Sequence, residues 1–224
     1  MKVGTLLASV VLFMQASESP QDSSIFPLRQ YCVWMFALYV GHQFEEHWID
    51  LLGNQYAFYT SFNTMIANVL GEVPAEFEVL TPLSIFVINT SLVWLVGFLA
   101  IYRSEHAIFP SLAMNAIILV NAVTHVVAAI ASQSYNPGLL TAVLLFLPFS
   151  IVFYIRVRFL RLASRLQVAL SLVWAILGHV IMISGMLAAN VVNIISETTY
   201  FVFLVGWSVV PVLVFTRANH REIT

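Results

Sequence analysis

The run AIFPSLAMNAIILVNAVTHVVAAIA, from Ala107 to Ala131, contains no Asp, Glu, Lys or Arg. A helix needs about 20 predominantly apolar residues to cross the hydrocarbon core of a bilayer, so this run is long enough. The whole chain has the same character, because it is 60% hydrophobic and only 9% charged. Such runs lack the alternation of a membrane β-barrel. The predicted fold class is therefore all-α, an integral membrane helical bundle.

Further runs of this kind divide the rest of the chain. Four are as clear as the first, namely Pro82–Tyr102, Pro137–Ile155, Leu166–Ala189 and Thr198–Thr216. A sixth, roughly Phe26–Ile49, is interrupted in its second half by the polar run HQFEEH. We therefore expect about six transmembrane helices in one membrane domain, residues 25–224. Residues 1–24 form a separate N-terminal segment that resembles a signal peptide or an interfacial helix and is too short in its apolar part to span.

The arginines predict the orientation of these helices. Arg156, Arg158, Arg161 and Arg165 lie between the fourth and fifth helices, and the positive-inside rule places that loop in the cytoplasm. Because successive transmembrane helices cross in alternating directions, the C-terminus then lies in the cytoplasm. The acidic segment that connects the first and second helices lies on the opposite side. The first helix starts in the cytoplasm, which favours an uncleaved N-terminal segment. The alternative is an extra crossing through Tyr56–Gly71.

Polar residues on four predicted helices reach a similar depth. Counted at about 1.5 Å per residue, they all fall in the non-cytoplasmic half of a core about 30 Å thick. They are His42, Glu45, Glu46, Asn89, His125 and His179. Because the orientation comes from arginines elsewhere, this agreement predicts one shared polar site.

The run from His42 to Glu46 supplies the chemistry of that site. Positions i, i+3 and i+4 share one helix face, so His42, Glu45 and Glu46 point together into the bundle. Ionisable groups are costly inside a span and usually carry function. Zinc or iron suits imidazole and carboxylate ligands, and His125 could complete the set. Glu45 and Glu46 are the candidate catalytic residues, one as ligand and the other as base on a metal-bound water.

The motif leaves two alternatives open. The zinc-protease patterns HExxH and HxxEH are absent, as are the paired Glu-x-x-His units of di-iron bundles. Without a metal, a buried glutamate and a histidine would form an acid–base pair. The simplest alternative is that the run only ends a span at the interface, and this is the role expected of His47 and Asp50, which would then lie in water.

Four more residues are secondary candidates. Asn121 shares a helix face with His125, and we expect Asn121 and Asn89 to hydrogen-bond between helices first and to contact substrate second. His179 is as consistent with a structural role as with a ligand. Tyr135 precedes an Asn-Pro-Gly turn and would lie at the rim of the site, where an interfacial aromatic anchor is the favoured role.

Several of these pieces together resemble the HXXEE family of small multi-pass membrane proteins. They are HQFEE at His42–Glu46, NAVTH at Asn121–His125, YNPGLLTAVLLFLP at Tyr135–Pro148, and LTPLSIFVIN ending at Asn89. The resemblance covers about residues 30–190. It implies a shared helical core and signature positions within the first two motifs, but it implies no particular reaction.

These observations favour a membrane enzyme, metal-assisted or acid–base, that acts on a lipidic or membrane-borne substrate. A proton- or metal-coupled transporter and a structural or assembly subunit are the alternatives. A transporter typically shows inverted repeats, and the sequence contains no convincing internal repeat. The partners expected are the lipid bilayer and a lipidic substrate, because a net charge of -2 gives no sign of nucleic-acid binding.

Overall fold

The structure, a computed structural model, describes residues 27–71 and 78–214. This part of the chain is helical, without a strand among the described residues and with one isolated bridge between Ile49 and Gln55. It contains α1 (Leu28–His47), α2 (Ala57–Leu70), α3 (Pro82–Arg103), α4 (Phe109–Ser132), α5 (Leu139–Phe159), α6 (Arg165–Val191) and α7 (Glu197–Val214). The predicted N-terminal segment, residues 1–24, and the basic C-terminal tail lie outside the described residues.

Four of these helices, α3 to α6, are long and apolar enough to cross a membrane. This finding supports a membrane-embedded helical bundle, but it covers four helices and not the six that the sequence predicts. Helix α1 has 20 residues and carries charged side chains at both ends, while α7 is apolar but shorter. Helix α2 has only 14 residues, or about 21 Å, so the alternative of an extra crossing through Tyr56–Gly71 gains no support.

The helix boundaries follow from local chemistry. The side chain of Thr81 accepts a hydrogen bond from the backbone N–H of Ser84 and caps α3, whose first residue is a proline. Ser164 and Gln167 form a reciprocal capping box at the start of α6. Gly138, at φ +93°, ends the turn before α5, and a glycine adopts this left-handed conformation without steric cost.

Helix α4 lies at the centre of the bundle. All residues from Phe109 to Ile118 are buried, and α4 contacts α1, α3, α5, α6 and α7. A helix that is apolar all round is typically buried on all sides, and small residues such as Ser111 allow close approach. The thiol of Cys32 on α1 donates to the Ser111 hydroxyl across 3.1 Å. The central position of α4 places His125, near its C-terminal end, inside the bundle.

Helix α2 covers one end of the bundle. Phe58 and Phe62 of α2 pack against an apolar cluster from α3, α6 and α7. The Asn63 side chain accepts hydrogen bonds from the backbone N–H groups of Val79 and Leu80, each 2.9 Å away. These contacts hold α2 across the start of α3 and close the bundle at the end where α1, α4 and α6 finish.

Candidate functional site

The last turns of α1 and the second half of α4 bring three ionisable side chains together inside the bundle. His42 has no exposed surface, and Glu46 and His125 are only 5% and 6% exposed. Oε1 of Glu46 lies 2.9 Å from Nε2 of His125 and 3.3 Å from Nε2 of His42. One ligand atom from each residue lies within 4.8 Å of the others. The structure therefore brings these three residues together, as helix periodicity and depth predict.

Asn136 determines which ring nitrogen of His125 carries the proton in the neutral imidazole. Its amide nitrogen donates to the backbone carbonyl of His125 across 2.9 Å, which turns its carbonyl oxygen towards the ring, 2.6 Å from Nδ1. Only a protonated Nδ1 can donate to that oxygen. In the neutral imidazole, Nε2 of His125 therefore presents a lone pair to Glu46.

Thr141 determines in the same way which ring nitrogen of His42 carries the proton. The Thr141 hydroxyl donates to Oε2 of Glu45 across 2.6 Å, so its oxygen accepts from Nδ1 of His42, also 2.6 Å away. Nε2 of His42 is left with a lone pair, is fully buried, and makes no hydrogen bond. Both histidines thus turn a lone pair towards the same carboxylate.

The consequence is that three acceptors converge on one point. Two imidazole lone pairs and a carboxylate oxygen repel one another unless a cation lies among them. A proton on His125 would satisfy its contact with Glu46, but a metal ion would satisfy all three atoms at once. For a tetrahedral ion with bonds of about 2.0–2.2 Å, ligand atoms lie roughly 3.3 Å apart, which is close to the separations of Glu46 Oε1 from the two histidines.

Glu45, although adjacent, has the opposite surroundings. Its Oε1 accepts from the Tyr135 hydroxyl at 2.7 Å and from the backbone N–H of Leu140 at 3.0 Å. Its Oε2 accepts from both the backbone N–H and the hydroxyl of Thr141. Four donors therefore surround this carboxylate, which lies at the N-terminus of α5, where a helix favours negative charge. Glu45 joins α1 to α5 and holds Thr141 against His42.

Gly138 brings the turn before α5 directly against the three converging residues. A Cβ atom added to it would lie 2.6 Å from Cε1 of His125, 2.8 Å from Cε1 of His42 and 2.9 Å from Cγ of Glu46. A side chain at this position would displace the histidines. The sequence pattern identified the Asn-Pro-Gly run only as a turn, and it missed Asn136, Gly138 and Thr141 as residues that build the site.

Tyr135 takes part in this arrangement from outside the helices. Its hydroxyl donates to Glu45 and accepts from the backbone N–H of Leu51, 3.1 Å away. Burial raises the pKa of the Tyr135 phenol, so it keeps its proton and remains a donor at neutral pH. It links the segment after α1 to the segment before α5, rather than standing alone at the rim.

The expectation that His47 and Asp50 lie in water is wrong. Nε2 of His47 lies 3.5 Å from Oε2 of Glu46, its side chain is 22% exposed, and the ring of Phe58 packs edge-on against it. Asp50 is 8% exposed and accepts from the backbone N–H groups of Leu52 and Asn54. Asp50 stabilises the turn after α1, and His47 belongs to the site.

Asn89, Asn121 and His179 do not reach the three converging atoms. They line a cavity of about 70 Å³ that also borders Glu46 and His47. Nδ1 of His179 donates to the backbone carbonyl of Ala175, 2.9 Å away, and Oδ1 of Asn121 is buried without a hydrogen-bond partner. The structure thus divides the predicted site residues between a compact His/Glu cluster and an adjoining cavity.

The two adjacent glutamates should respond in opposite ways to the same substitution. Glu45→Gln places an amide N–H₂ among four donors, so we expect unfolding to become easier by about 1–3 kcal/mol, the cost of an unsatisfied buried group. Glu46→Gln offers a donor to the histidine lone pairs and should leave stability unchanged or raised. Thermal unfolding in detergent with a chelator present measures both. Equal destabilisation by the two variants would contradict this assignment of donors and acceptors.

Comparison with known proteins shows the family to which the chain belongs. The sequence model of the family described as "Protein of unknown function with HXXEE motif" matches residues 33–153. This range includes His42 and His125, the two glutamates of the motif and the turn at Gly138 that packs against them, and it excludes His179. No match to the chain was found among curated proteins or among solved structures. The match spans more than half of the chain, and this protein therefore belongs to the HXXEE family.

Proposed function

We propose that this protein is a membrane enzyme that holds a zinc or iron ion between His42, Glu46 and His125 and uses it on a lipidic or membrane-borne substrate. The observation that supports the proposal is that one carboxylate oxygen of Glu46 lies 2.9 Å and 3.3 Å from two buried imidazole nitrogens, of which Nε2 of His42 makes no hydrogen bond. Two imidazoles and a carboxylate are a common ligand set of catalytic zinc and of non-haem iron.

The proposal includes six membrane crossings, with α1 and α7 added to the four long apolar helices. The 20 residues of α1 rise about 30 Å, the thickness of the hydrocarbon core. Its two glutamates face inwards, and Arg29 at its start pairs with Glu105, beyond the end of α3, at 3.2 Å. With Arg156 and Arg165 on the same side, the positive-inside rule places this side and the C-terminus in the cytoplasm.

Three protein ligands would leave a coordination position open, as in catalytic rather than structural zinc sites. An ion at this place would polarise a substrate carbonyl or lower the pKa of a bound water to about 7. Glu46 would be a ligand through Oε1. Glu45 already accepts four hydrogen bonds, so we assign it a positioning role, in place of the role of base that the sequence offers it.

A metal-free acid–base enzyme is the second candidate. The distance of 2.9 Å between His125 Nε2 and Glu46 Oε1 suits a shared proton that passes between the two groups and a substrate. This arrangement leaves the lone pair of His42 Nε2 without a partner, and for this reason we favour the metal.

Metal analysis of purified protein distinguishes the two candidates. After supply of zinc or iron, we expect stoichiometric metal in the unmodified protein and its loss in His42→Ala, Glu46→Ala and His125→Ala, because each removes one of three ligands. His106→Ala is the matched control, since His106 is exposed and far from the cluster in the fold. Metal content that is equal in all variants, or absent from the unmodified protein, would favour the acid–base enzyme.

A pair of glycine variants tests the same cluster without altering a ligand. Gly138→Ala should lower metal affinity by about 10–100-fold, the range for residues that support metal ligands, because its methyl group displaces both histidines. Gly53→Ala is the matched control, since Gly53 has a similar φ of +83° but nothing within 4 Å of an added Cβ. If both variants reduced the affinity equally, backbone strain and not displacement of the ligands would be the cause.

A further inference from the structure

A cavity borders the proposed metal centre at Glu46. It is lined by residues of α1, α2, α3, α4 and α6, and its volume is about 70 Å³. One water needs about 10–15 Å³ measured in this way, so the cavity has room for a polar head group and a short length of chain. Most of its wall is apolar, including Phe58, Leu92, Met182 and Met186. Methionine side chains adapt to ligands of irregular shape.

Two of the residues that line this cavity, Asn121 and His179, carry a hydrogen-bond acceptor with room for a further donor. Oδ1 of Asn121 is buried and has no partner, although buried polar atoms are nearly always hydrogen-bonded. His179 also lines the cavity, and its Nδ1–H is used by the carbonyl of Ala175, so Nε2 keeps a lone pair. Both atoms would be satisfied by a ligand that donates a hydrogen bond.

The charge of the residues that line the cavity limits which head group the ligand can carry. Among the described residues that line the cavity there is no lysine or arginine, and the only carboxylate is that of Glu46. A phosphate or a carboxylate head group would enter this apolar site without a cationic partner, at a large desolvation cost. A hydroxyl group meets the demand for a donor without bringing a charge.

We infer that the cavity binds an uncharged lipid through its hydroxyl group, with the alkyl chain against the apolar wall. This inference rests on the proposed function and names its substrate class as lipid alcohols. Asn121 and His125 are one helical turn apart on α4, about 6 Å along the axis. A hydroxyl that donates to Asn121 would therefore lie about one helical turn from His125, one of the residues that would hold the ion.

Photoaffinity labelling of the full chain in lipid nanodiscs tests the inference. The probe is a long-chain fatty alcohol with a diazirine in its chain, compared with the fatty acid and the lysophosphatidic acid of equal length. We expect the alcohol to label peptides of α2, α4 and α6 at least 10-fold more than either anionic probe. Labelling by all three probes to the same extent, or of lipid-facing peptides only, would overturn the inference.

Matched variants connect the labelling to the two acceptors. Asn121→Leu and His179→Leu should each reduce alcohol labelling about 10-fold, whereas Thr124→Val, an exposed position on the same helix, should not. Thermal unfolding of each variant shows that it is folded, and the metal content of Asn121→Leu should remain that of the unmodified protein. Undiminished labelling in both leucine variants would overturn the inference.

The metal measurement separates this inference from the proposed function. Metal without selective labelling by the alcohol overturns the substrate class and leaves the metal enzyme in place. Selective labelling in a protein that binds no metal would support the lipid alcohol as ligand and would contradict the proposed metal centre.

Discussion

The carboxylate of Glu46 lies between two histidines whose neutral imidazoles both present lone pairs to it, and the rest of the site depends on how this contact is satisfied. The protons that would relieve it are held elsewhere, by Asn136 on His125 and by Thr141 on His42. Inside a bundle of apolar helices, water cannot screen the repulsion. In the proposed site, a cation at this point would turn three repulsive contacts into three bonds.

The two adjacent glutamates of the HXXEE motif have different tasks because of their positions on α1. Glu46, one turn after His42, faces the ring nitrogens of His42 on α1 and His125 on α4. Glu45 faces the start of α5, where it accepts four hydrogen bonds and holds Thr141. In the proposed site the motif therefore combines a metal ligand and a positioning residue in one helical turn, and Gly138 allows the turn before α5 to approach His42, Glu46 and His125 closely.

Helix periodicity and composition predict much of this arrangement. The i, i+4 spacing of His42 and Glu46, with a depth estimate for His125, was sufficient to bring these three residues together, because helix geometry is regular. The contributions of Thr141 and Gly138 were not predicted, since both lie at a tight turn far along the chain from α1, Thr141 being 96 positions after Glu45. The end of a span at the interface predicts His47 in water, but helix α2 packs its Phe58 ring against His47 and covers it.

The central claim is that a metal ion is coordinated by His42, Glu46 and His125. X-ray absorption spectroscopy of the zinc-loaded protein tests it most directly, because the spectrum reports the atoms bound to the ion. We expect nitrogen and oxygen atoms at about 2.0–2.2 Å from the ion, with the outer scattering of two imidazole rings. A shell of oxygen atoms without imidazole scattering, or sulfur from Cys32 at about 2.3 Å, would contradict it.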